Sequence, residues 1–159
     1  MPAQRVRRFL LENGIPYSTD THPVAYTARE TALVEHVPDH QVAKAVMLKA
    51  DDRLVMAVLP GDRHVDLAKA AAALGATTCR LATETEFSPL FPDCERGAEP
   101  PFGALYDVPT VVDSQLHGLG ITFNGGSHTT SISMTLDDYL SLTKAKVLDL
   151  TEAQQHRPR

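Results

Sequence analysis

The sequence lacks the features that mark membrane, secreted and metal-clustering proteins. No apolar run approaches the ~20 residues of a membrane-spanning helix. The start of the chain, MPAQRVRRFLLENG, has neither a long apolar segment nor a small-residue cleavage site, so we expect no secretory signal. The two cysteines, Cys79 and Cys94, are too few for a disulfide framework or a cysteine-only zinc site. These absences predict a protein of the reducing cytoplasm.

An excess of positive charge is also missing. The 159 residues include 15 Lys and Arg against 20 Asp and Glu, which gives a formal net charge of -5. Domains that hold duplex nucleic acid through their whole surface are usually basic, so this balance argues against such binding. The negative net charge is still compatible with a local basic pocket that binds one end of a nucleic acid.

The common catalytic motifs are absent as well. The sequence has no P-loop and no G-x-S-x-G turn, and its only trace of a dinucleotide fingerprint is Gly118-Leu119-Gly120. His36 and His40 have the spacing of metal ligands on a helix, but Pro38 between them interrupts that helix. We therefore interpret them as loop histidines and predict no metal site.

The apolar periodicity predicts several short elements. Helices are expected over residues 5–13, from Thr27 (with Glu30 as its capping-box partner), over 66–74 and over 137–142. Strands are expected at 46–48 and 54–59 as a hairpin, and at 77–81, 105–107, 110–113, 120–124, 131–134 and 146–150. Because helices and strands do not alternate strictly, the pattern predicts one α+β domain over residues 1–150, followed by a polar tail over 151–159.

Four clusters, far apart in the sequence, contain the residues whose side chains or backbone could take part in binding or catalysis. They are His22-Pro23 with Thr27-Ala28, Lys44 before the apolar run 46–48, the loop 97–103, and the turn 123–130. His22 could cap, pack or face a pocket. Lys44 is either an exposed strand end or a cation that binds phosphate or carboxylate at a pocket rim. The loop 97–103 is either an ordinary surface loop or a rigid turn whose N–H groups face a developing negative charge. The segment 123–130, taken alone, is typical of a hairpin.

Six ordered pieces of the chain together carry a family resemblance. They are His22-Pro23 with Thr27-Ala28, residues 42–49, residues 59–67, the G-x-x-x-P loop from Gly97 to Pro101, Val112-Asp113, and residues 124–128. In this order, over about residues 1–150, the chain resembles the YbaK/prolyl-tRNA synthetase-associated editing domain family. Members of that family hydrolyse misacylated tRNA.

The resemblance implies a fold and a set of site residues. The fold is a single α+β domain around a strongly curved, mixed and largely antiparallel sheet with flanking helices, without metal or organic cofactor. The family's functional lysine corresponds to Lys44, which should contact the terminal adenosine or its phosphate. The G-x-x-x-P loop, as Gly97 and Pro101, should line the aminoacyl pocket. His128 should help to place the amino acid or water.

Further residues are expected to bind substrate by the same resemblance. His22, Thr27, Gly125 and Gly126 belong to the matching pieces and are candidates for the pocket. Asp113 follows the apolar pair Val111-Val112, so it suits the end of a strand and the ordering of a loop better than a role as a base. We keep it as a minor candidate.

The chemistry of an aminoacyl ester suits these residues. The ester is already activated, so hydrolysis needs a placed water, donors for the oxyanion and contacts to the 3′ end, and a substrate 2′-hydroxyl could assist. The resemblance predicts a free-standing trans-editing hydrolase that deacylates tRNA mischarged with a small amino acid, with or without a synthetase partner. We expect weak, salt-sensitive tRNA binding through Lys44, with Lys49 and Arg63 nearby. The alternatives are a non-catalytic aminoacyl- or nucleotide-binding module, a regulatory partner of a synthetase, and a hydrolase of small esters or thioesters.

The cysteines are expected to be structural. Cys94 lies beside the G-x-x-x-P loop, but the neighbouring Asp93 and Glu95 should raise the pKa of its thiol and suppress the thiolate. Cys79 falls in a predicted short strand and should belong to the core.

Overall fold

The computed structural model describes residues 3–153. Within that range the α-helices are α1 (Gln4–Glu12), α2 (Ala28–Glu35), α3 (Leu67–Leu74), α4 (Glu84–Phe87) and α5 (Leu136–Thr143). The strands are β1 (Ser18–Thr21), β2 (Ala43–Ala50), β3 (Arg53–Pro60), β4 (Cys79–Leu81), β5 (Thr110–Asp113), β6 (Gly120–Ser127), β7 (Thr130–Thr135) and β8 (Lys146–Leu148). Residues 154–159 of the predicted polar tail lie outside the described residues. No helix between residues 3 and 153 combines the length and apolar character needed to cross a membrane.

The strands form two sheets. The larger sheet has the order β4-β2-β3-β5-β8, antiparallel from β4 to β3 and parallel from β3 to β8, and the smaller sheet, β1-β7-β6, is antiparallel throughout. A single parallel bridge between Val42 and Thr122 connects them. The α+β class with mixed, largely antiparallel pairing is therefore confirmed. The strands are divided between two sheets because, within residues 3–153, backbone pairing between the sheets is limited to that bridge.

Both faces of β2 are buried, which explains its almost uninterrupted apolar sequence. Met47 belongs to the larger core, to which both sheets, α1 and α5 contribute. Leu48 points to the other face, where a smaller core lies under α3. Lys44 shares that second face by alternation and lies at the end of the sheet, where β3 leads into α3.

The predicted helix starts are confirmed by their caps. Thr27, Asp66 and Thr135 each accept a hydrogen bond from a backbone N–H in the first turn of α2, α3 and α5. The predicted capping box at Thr27 is only half formed. Glu30 N–H donates to Thr27 Oγ1, but the Glu30 carboxylate accepts from Tyr26 N–H instead of Thr27 N–H.

The strand predicted at residues 105–107 is wrong. Residues Gly103–Tyr106 form a 3₁₀ turn that ends at Asp107 in the left-handed region, with φ 60°. Gly103 lies so close to its neighbours that a Cβ there would be 2.5 Å from Thr110 Oγ1. Long-range packing therefore folds this segment into a turn, although its local composition suits a strand.

Candidate functional site

A cavity of about 410 Å³ lies where β2, the β3–α3 loop, the start of α2 and the 97–101 loop meet. Ligand sites commonly have volumes of ~300–1,000 Å³. The described residues that line it are 26–29, 42–45, Gly61, His64, Gly97, Glu99 and Asn124. Three predicted site residues, Thr27, Lys44 and Gly97, therefore meet in one place.

A second cavity, of about 470 Å³, lies at the opposite end of the β2–β3 hairpin. Its charged lining residues are Arg53, Lys144 and Lys146, and no predicted site residue contributes to it. We therefore take the cavity at Lys44 as the candidate site and call it the Lys44 cavity.

Lys44 is the half-buried cation of this cavity. It lies opposite Leu59 in the β2–β3 ladder, so its backbone position is fixed by a regular hairpin. Burial lowers the pKa of Lys44, and the nearby Asp62 carboxylate acts in the opposite direction. A cation held in a partly desolvated pocket interacts with an anion more strongly than one in water. This is the arrangement expected for binding phosphate or a developing oxyanion.

The wall beside Lys44 depends on a close backbone approach at Gly61. Gly61 N–H donates to Val42 O at 2.7 Å. A Cβ at Gly61 would lie only 2.5 Å from Asp39 O, so a larger residue would push away the 3₁₀ turn Asp39–Gln41. The β3–α3 loop that carries His64 is thereby held against the start of β2.

The predicted cations beside Lys44 have other partners. Lys49 forms an ion pair with Glu86 at 3.7 Å, and Arg63 donates to Glu152 O and to Gln115. Neither residue lines the Lys44 cavity. The cationic side chain that joins Lys44 there is Arg29, at the start of α2, which the sequence analysis did not identify.

Residues 98–101 of the G-x-x-x-P loop are buried, whereas Gly97 is exposed, and the N–H groups of Gly97 and Ala98 both have acceptors within the protein. Gly97 N–H donates to Glu99 Oε1 at 3.2 Å, and Ala98 N–H donates to Glu95 O at 3.1 Å. Pro101 cannot donate, and its carbonyl accepts from the Tyr139 hydroxyl at 2.6 Å. The expectation that this backbone offers free donors to an oxyanion is therefore not met at Gly97 or Ala98.

His128 flanks Gly97 from outside the cavity lining. Its Nε2 lies 2.7 Å from Arg96 O and its Nδ1 lies 3.3 Å from Ala25 O. Carbonyl oxygens only accept, so the shorter contact is a hydrogen bond that Nε2–H donates to Arg96 O. The ring centroids of Tyr26 and His128 are 4.8 Å apart, and a Cβ added to Gly97 would lie 3.5 Å from His128 Cε1. His128 therefore holds two segments of the cavity wall together.

Gly125 and Gly126 form the bulged end of β6 rather than part of the cavity wall. Gly126 has φ 93°, a conformation that favours glycine, and its carbonyl accepts from Glu95 N–H at 2.7 Å. The bulge separates Asn124, which lines the cavity, from His128, which supports it. These two glycines shape the site without lining it.

His22 and Asp113 lie away from the Lys44 cavity. His22 is buried, with Nδ1 donating to Pro23 O at 2.7 Å and Nε2 accepting from the Ser131 hydroxyl at 2.8 Å. Asp113 is fully buried and accepts from Leu150 N–H and the Thr151 hydroxyl. Both therefore fix the packing of chain segments.

Glu99 and Asn124 line the cavity but were not identified as site residues from the sequence. Glu99 is 6% exposed and is the sole carboxylate among the described residues of the lining. Burial raises the pKa of Glu99, while the Gly97 N–H acts in the opposite direction. The Asn124 Oδ1 atom is buried and has no hydrogen-bond partner among residues 3–153. The only sequence signal was their presence in the matching segments.

Cys94 is not a candidate nucleophile. Burial is the main cause that raises the pKa of its thiol to about 12, and Asp93 adds to the effect. The predicted direction is confirmed, but its chief cause is desolvation, and Glu95 is not among the causes. Cys79 packs against the smaller core, as predicted.

The structure does not group ligands for a metal. No cluster of three or more His, Cys, Asp or Glu side chains suitable for a metal occurs within residues 3–153. His40 instead stacks on His117, with the ring centroids 4.8 Å apart.

Comparison with solved structures supports the fold. The chain is similar to a candidate trans-editing enzyme for prolyl-tRNA synthetase, with TM-score 0.83 and 27% identity over 95% of this chain and 97% of that one. It is also similar to a scaffold protein used in epitope grafting, with TM-score 0.83 and 25% identity over 96% and 97%. A hypothetical protein shares the fold at TM-score 0.84 and 20% identity over 94% and 100%.

The comparison with protein families identifies the chain. No curated protein is similar enough to match it. The sequence model described as the aminoacyl-tRNA editing domain matches residues 22–142, which include the whole lining of the Lys44 cavity. Because that match covers well over half of the chain, the protein belongs to the aminoacyl-tRNA editing domain family.

Proposed function

We propose that this protein is a trans-editing hydrolase that removes a small, wrongly attached amino acid from the 3′ end of tRNA. The observation that carries the proposal is the half-buried cation Lys44 in one cavity with Thr27 and the G-x-x-x-P loop. Family membership supports aminoacyl-tRNA as the substrate. The similar candidate trans-editing enzyme makes tRNA that accepts proline the first to test.

The reaction needs no nucleophile from the protein. The oxygen of a water attacks the ester carbonyl carbon, the bond from that carbon to the ribose oxygen breaks, and a proton from the water ends on the ribose oxygen. Free amino acid and tRNA with an intact 3′ end result. This is consistent with a cavity lining that contains no serine or cysteine among the described residues.

Lys44 is the residue we assign to the negative charge. Its ammonium binds the terminal phosphate or the oxyanion that forms at the carbonyl. Thr27 is suited to assist, because its Oγ1 accepts from Glu30 N–H and its own hydroxyl hydrogen is left to donate. Together they supply donors that the internally bonded Gly97 N–H does not.

The occupied Gly97 N–H gives weight to a second candidate function. If Glu99 keeps that donor during binding, the cavity can hold an aminoacyl end without stabilising its oxyanion. The protein would then be a binding module, alone or with a synthetase. Binding of charged tRNA without release of amino acid distinguishes this function from the hydrolase.

The setting of the reaction is also part of the proposal. Cys79 and Cys94 are free thiols in the structure, which suits a reducing compartment. We therefore place the reaction in the cytoplasm.

The experiment is a deacylation assay with the wild-type chain on tRNAs charged with alanine, cysteine, serine or proline. The proposal expects release faster than the uncatalysed rate for at least one mischarged tRNA. Simple aminoacyl esters without tRNA are measured in parallel, because equal activity on them would favour the small-ester hydrolase. Failure to accelerate release from every charged tRNA would refute the hydrolase.

A further inference from the structure

The Lys44 cavity contains two hydrogen-bond acceptors that its anion-binding role does not use. Glu99 is buried against the cavity and carries the only carboxylate of the described lining. Asn124 lies in the same lining, with its buried Oδ1 unpartnered among residues 3–153. A buried acceptor without a donor costs free energy, so Asn124 Oδ1 is suited to a ligand that brings a donor. The Glu99 carboxylate already accepts from Gly97 N–H, but its two oxygens have capacity for further donors.

The cavity carries both positive and negative charges, so it favours a ligand that has both an anionic and a cationic group. Lys44 and Arg29 are suited to phosphate or carboxyl oxygens. A carboxylate in the same space repels those groups and attracts a cation. The aminoacyl end of a charged tRNA has this combination, because its phosphates are anionic and its amino acid carries an α-ammonium group.

The local structure keeps the Glu99 carboxylate in place. Gly97 N–H donates to Glu99 Oε1 at 3.2 Å, and Gly97 itself is held beside His128. An acid fixed in this way needs little reordering to bind a ligand. Its desolvation is compensated when an ammonium group donates to it, since charged hydrogen bonds are the stronger ones.

We propose that Glu99 and Asn124 form a subsite for the α-ammonium group of the esterified amino acid. The inference rests on the proposed function, because it takes aminoacyl-tRNA as the ligand. It restricts the substrates to tRNA esters whose α-amine is free and charged. Esters of 2-hydroxy acids and of N-acylated amino acids are poor substrates.

The test compares two stable ligands that differ only in the ammonium group. One tRNA carries alanine on its terminal ribose through an amide bond, and the other carries propanoate through the same bond. Their dissociation constants are measured for the wild-type chain, Glu99→Gln, Asn124→Ala and Glu84→Gln. Glu99→Gln keeps an oxygen to accept from Gly97 N–H but loses the charge, so a purely structural role of Glu99 would leave the ratio unchanged. Glu84 is the control for the loss of one negative charge, because it lies outside the lining. Its charge raises the pKa of Glu99, so its removal leaves Glu99 ionised and able to bind the ammonium group.

The inference expects the wild type to bind the alanyl ligand at least about tenfold more tightly than the propanoyl ligand. Glu99→Gln and Asn124→Ala should reduce that ratio, whereas Glu84→Gln should keep it. A wild-type ratio near one, an unchanged ratio in both cavity variants, or no binding of either ligand would overturn the inference. If Glu99→Gln does not fold, the wild-type ratio and Asn124→Ala decide.

Release of alanine from the ester-linked tRNA, measured in parallel, separates this inference from the proposed function. Cleavage without a binding preference would retain the hydrolase and refute the subsite. A binding preference without cleavage of alanyl-tRNA, or of the other charged tRNAs in the deacylation assay, would retain the subsite and refute the hydrolase.

Discussion

The backbone N–H of Gly97 donates a hydrogen bond to the carboxylate of Glu99, with 3.2 Å between Gly97 N and Glu99 Oε1. The most polar side chain of the G-x-x-x-P loop thus binds the loop's own backbone. This bond withdraws a donor that could face an oxyanion, and it fixes a negative charge at the cavity. The cationic Lys44 and the hydroxyl of Thr27 are therefore the donors on which our proposed mechanism depends.

The first prediction concerns the pH dependence of activity. Burial lowers the pKa of Lys44, so the ammonium should lose its proton below the ~10.4 of an ordinary lysine. Activity should be complete while Lys44 is charged and should fall as the pH rises through its pKa. Single-turnover rates in alkaline buffers, corrected for uncatalysed hydrolysis, measure this. Lys44→Arg stays charged, so its alkaline fall should be limited to the part caused by loss of the α-ammonium proton of the substrate. Identical pH profiles for Lys44→Arg and the wild type would contradict the prediction.

The second prediction concerns His128 as a support of the cavity wall. His128→Ala removes the hydrogen bond to Arg96 O and should lower the free energy of unfolding by about 1 kcal/mol. Urea denaturation measures the loss, and activity should fall because Gly97 is less well held. The control is Leu119→Ala, since Leu119 is 94% exposed and outside the lining. Unchanged stability with full activity in His128→Ala would refute the supporting role.

The third prediction concerns the pH dependence of stability. Burial and the neighbouring Asp20 carboxyl raise the pKa of Glu35, while Ser131 and His22 act in the opposite direction. A raised carboxyl pKa means that the folded state favours the protonated form, so stability from this group is complete below its unfolded pKa of ~4.3. That stability is lost as the pH rises through the folded pKa.

Glu35→Gln imitates the protonated form. It should match the wild type in acid and be more stable at neutral pH, as measured by urea denaturation across that range. Glu12→Gln, at the exposed end of α1, is the control and should show no such trend. A Glu35→Gln variant less stable than the wild type at neutral pH would contradict the assignment.

The fourth prediction concerns Cys94. With the pKa of its thiol raised to about 12, it should react with iodoacetamide at pH 8 at least about tenfold more slowly in the native protein than after denaturation. Mass spectrometry of the alkylated peptide measures the rate. Cys94→Ser should keep the deacylation rate. Rapid native alkylation, or loss of activity in Cys94→Ser, would reveal a reactive thiol.

The parts of the fold that depend on neighbouring residues could be predicted from the sequence. The helices predicted over 66–74 and 137–142 were found because helix propensity and apolar spacing are local properties, and the structure has them at Leu67–Leu74 and Leu136–Thr143. The β2–β3 hairpin was found because two apolar runs flank a short polar turn. The family resemblance drew attention to Lys44, which was expected before the strand, whereas the structure has it within β2 and in the cavity lining.

The parts that depend on distant contacts could not be predicted. The buried course of the 97–101 loop relies on the Tyr139 hydroxyl, which lies 38 positions from its acceptor on Pro101. The role of His128 depends on carbonyl groups of Ala25 and Arg96, which are far from it in sequence. The periodicity of apolar residues and the secondary-structure propensities contain no information about such distant pairs of residues.

The central claim is that the Lys44 cavity catalyses the release of amino acid from tRNA. Single-turnover deacylation of the best mischarged tRNA, compared between the wild type, Lys44→Met and Lys49→Met, tests it most directly. Lys49 lies on the same strand but pairs with Glu86 outside the cavity, so its variant controls for the loss of one charge. We predict that Lys44→Met slows release by at least about a hundredfold, as expected when an oxyanion donor is removed, while Lys49→Met stays near the wild-type rate. Equal rates for Lys44→Met and the wild type would contradict the claim.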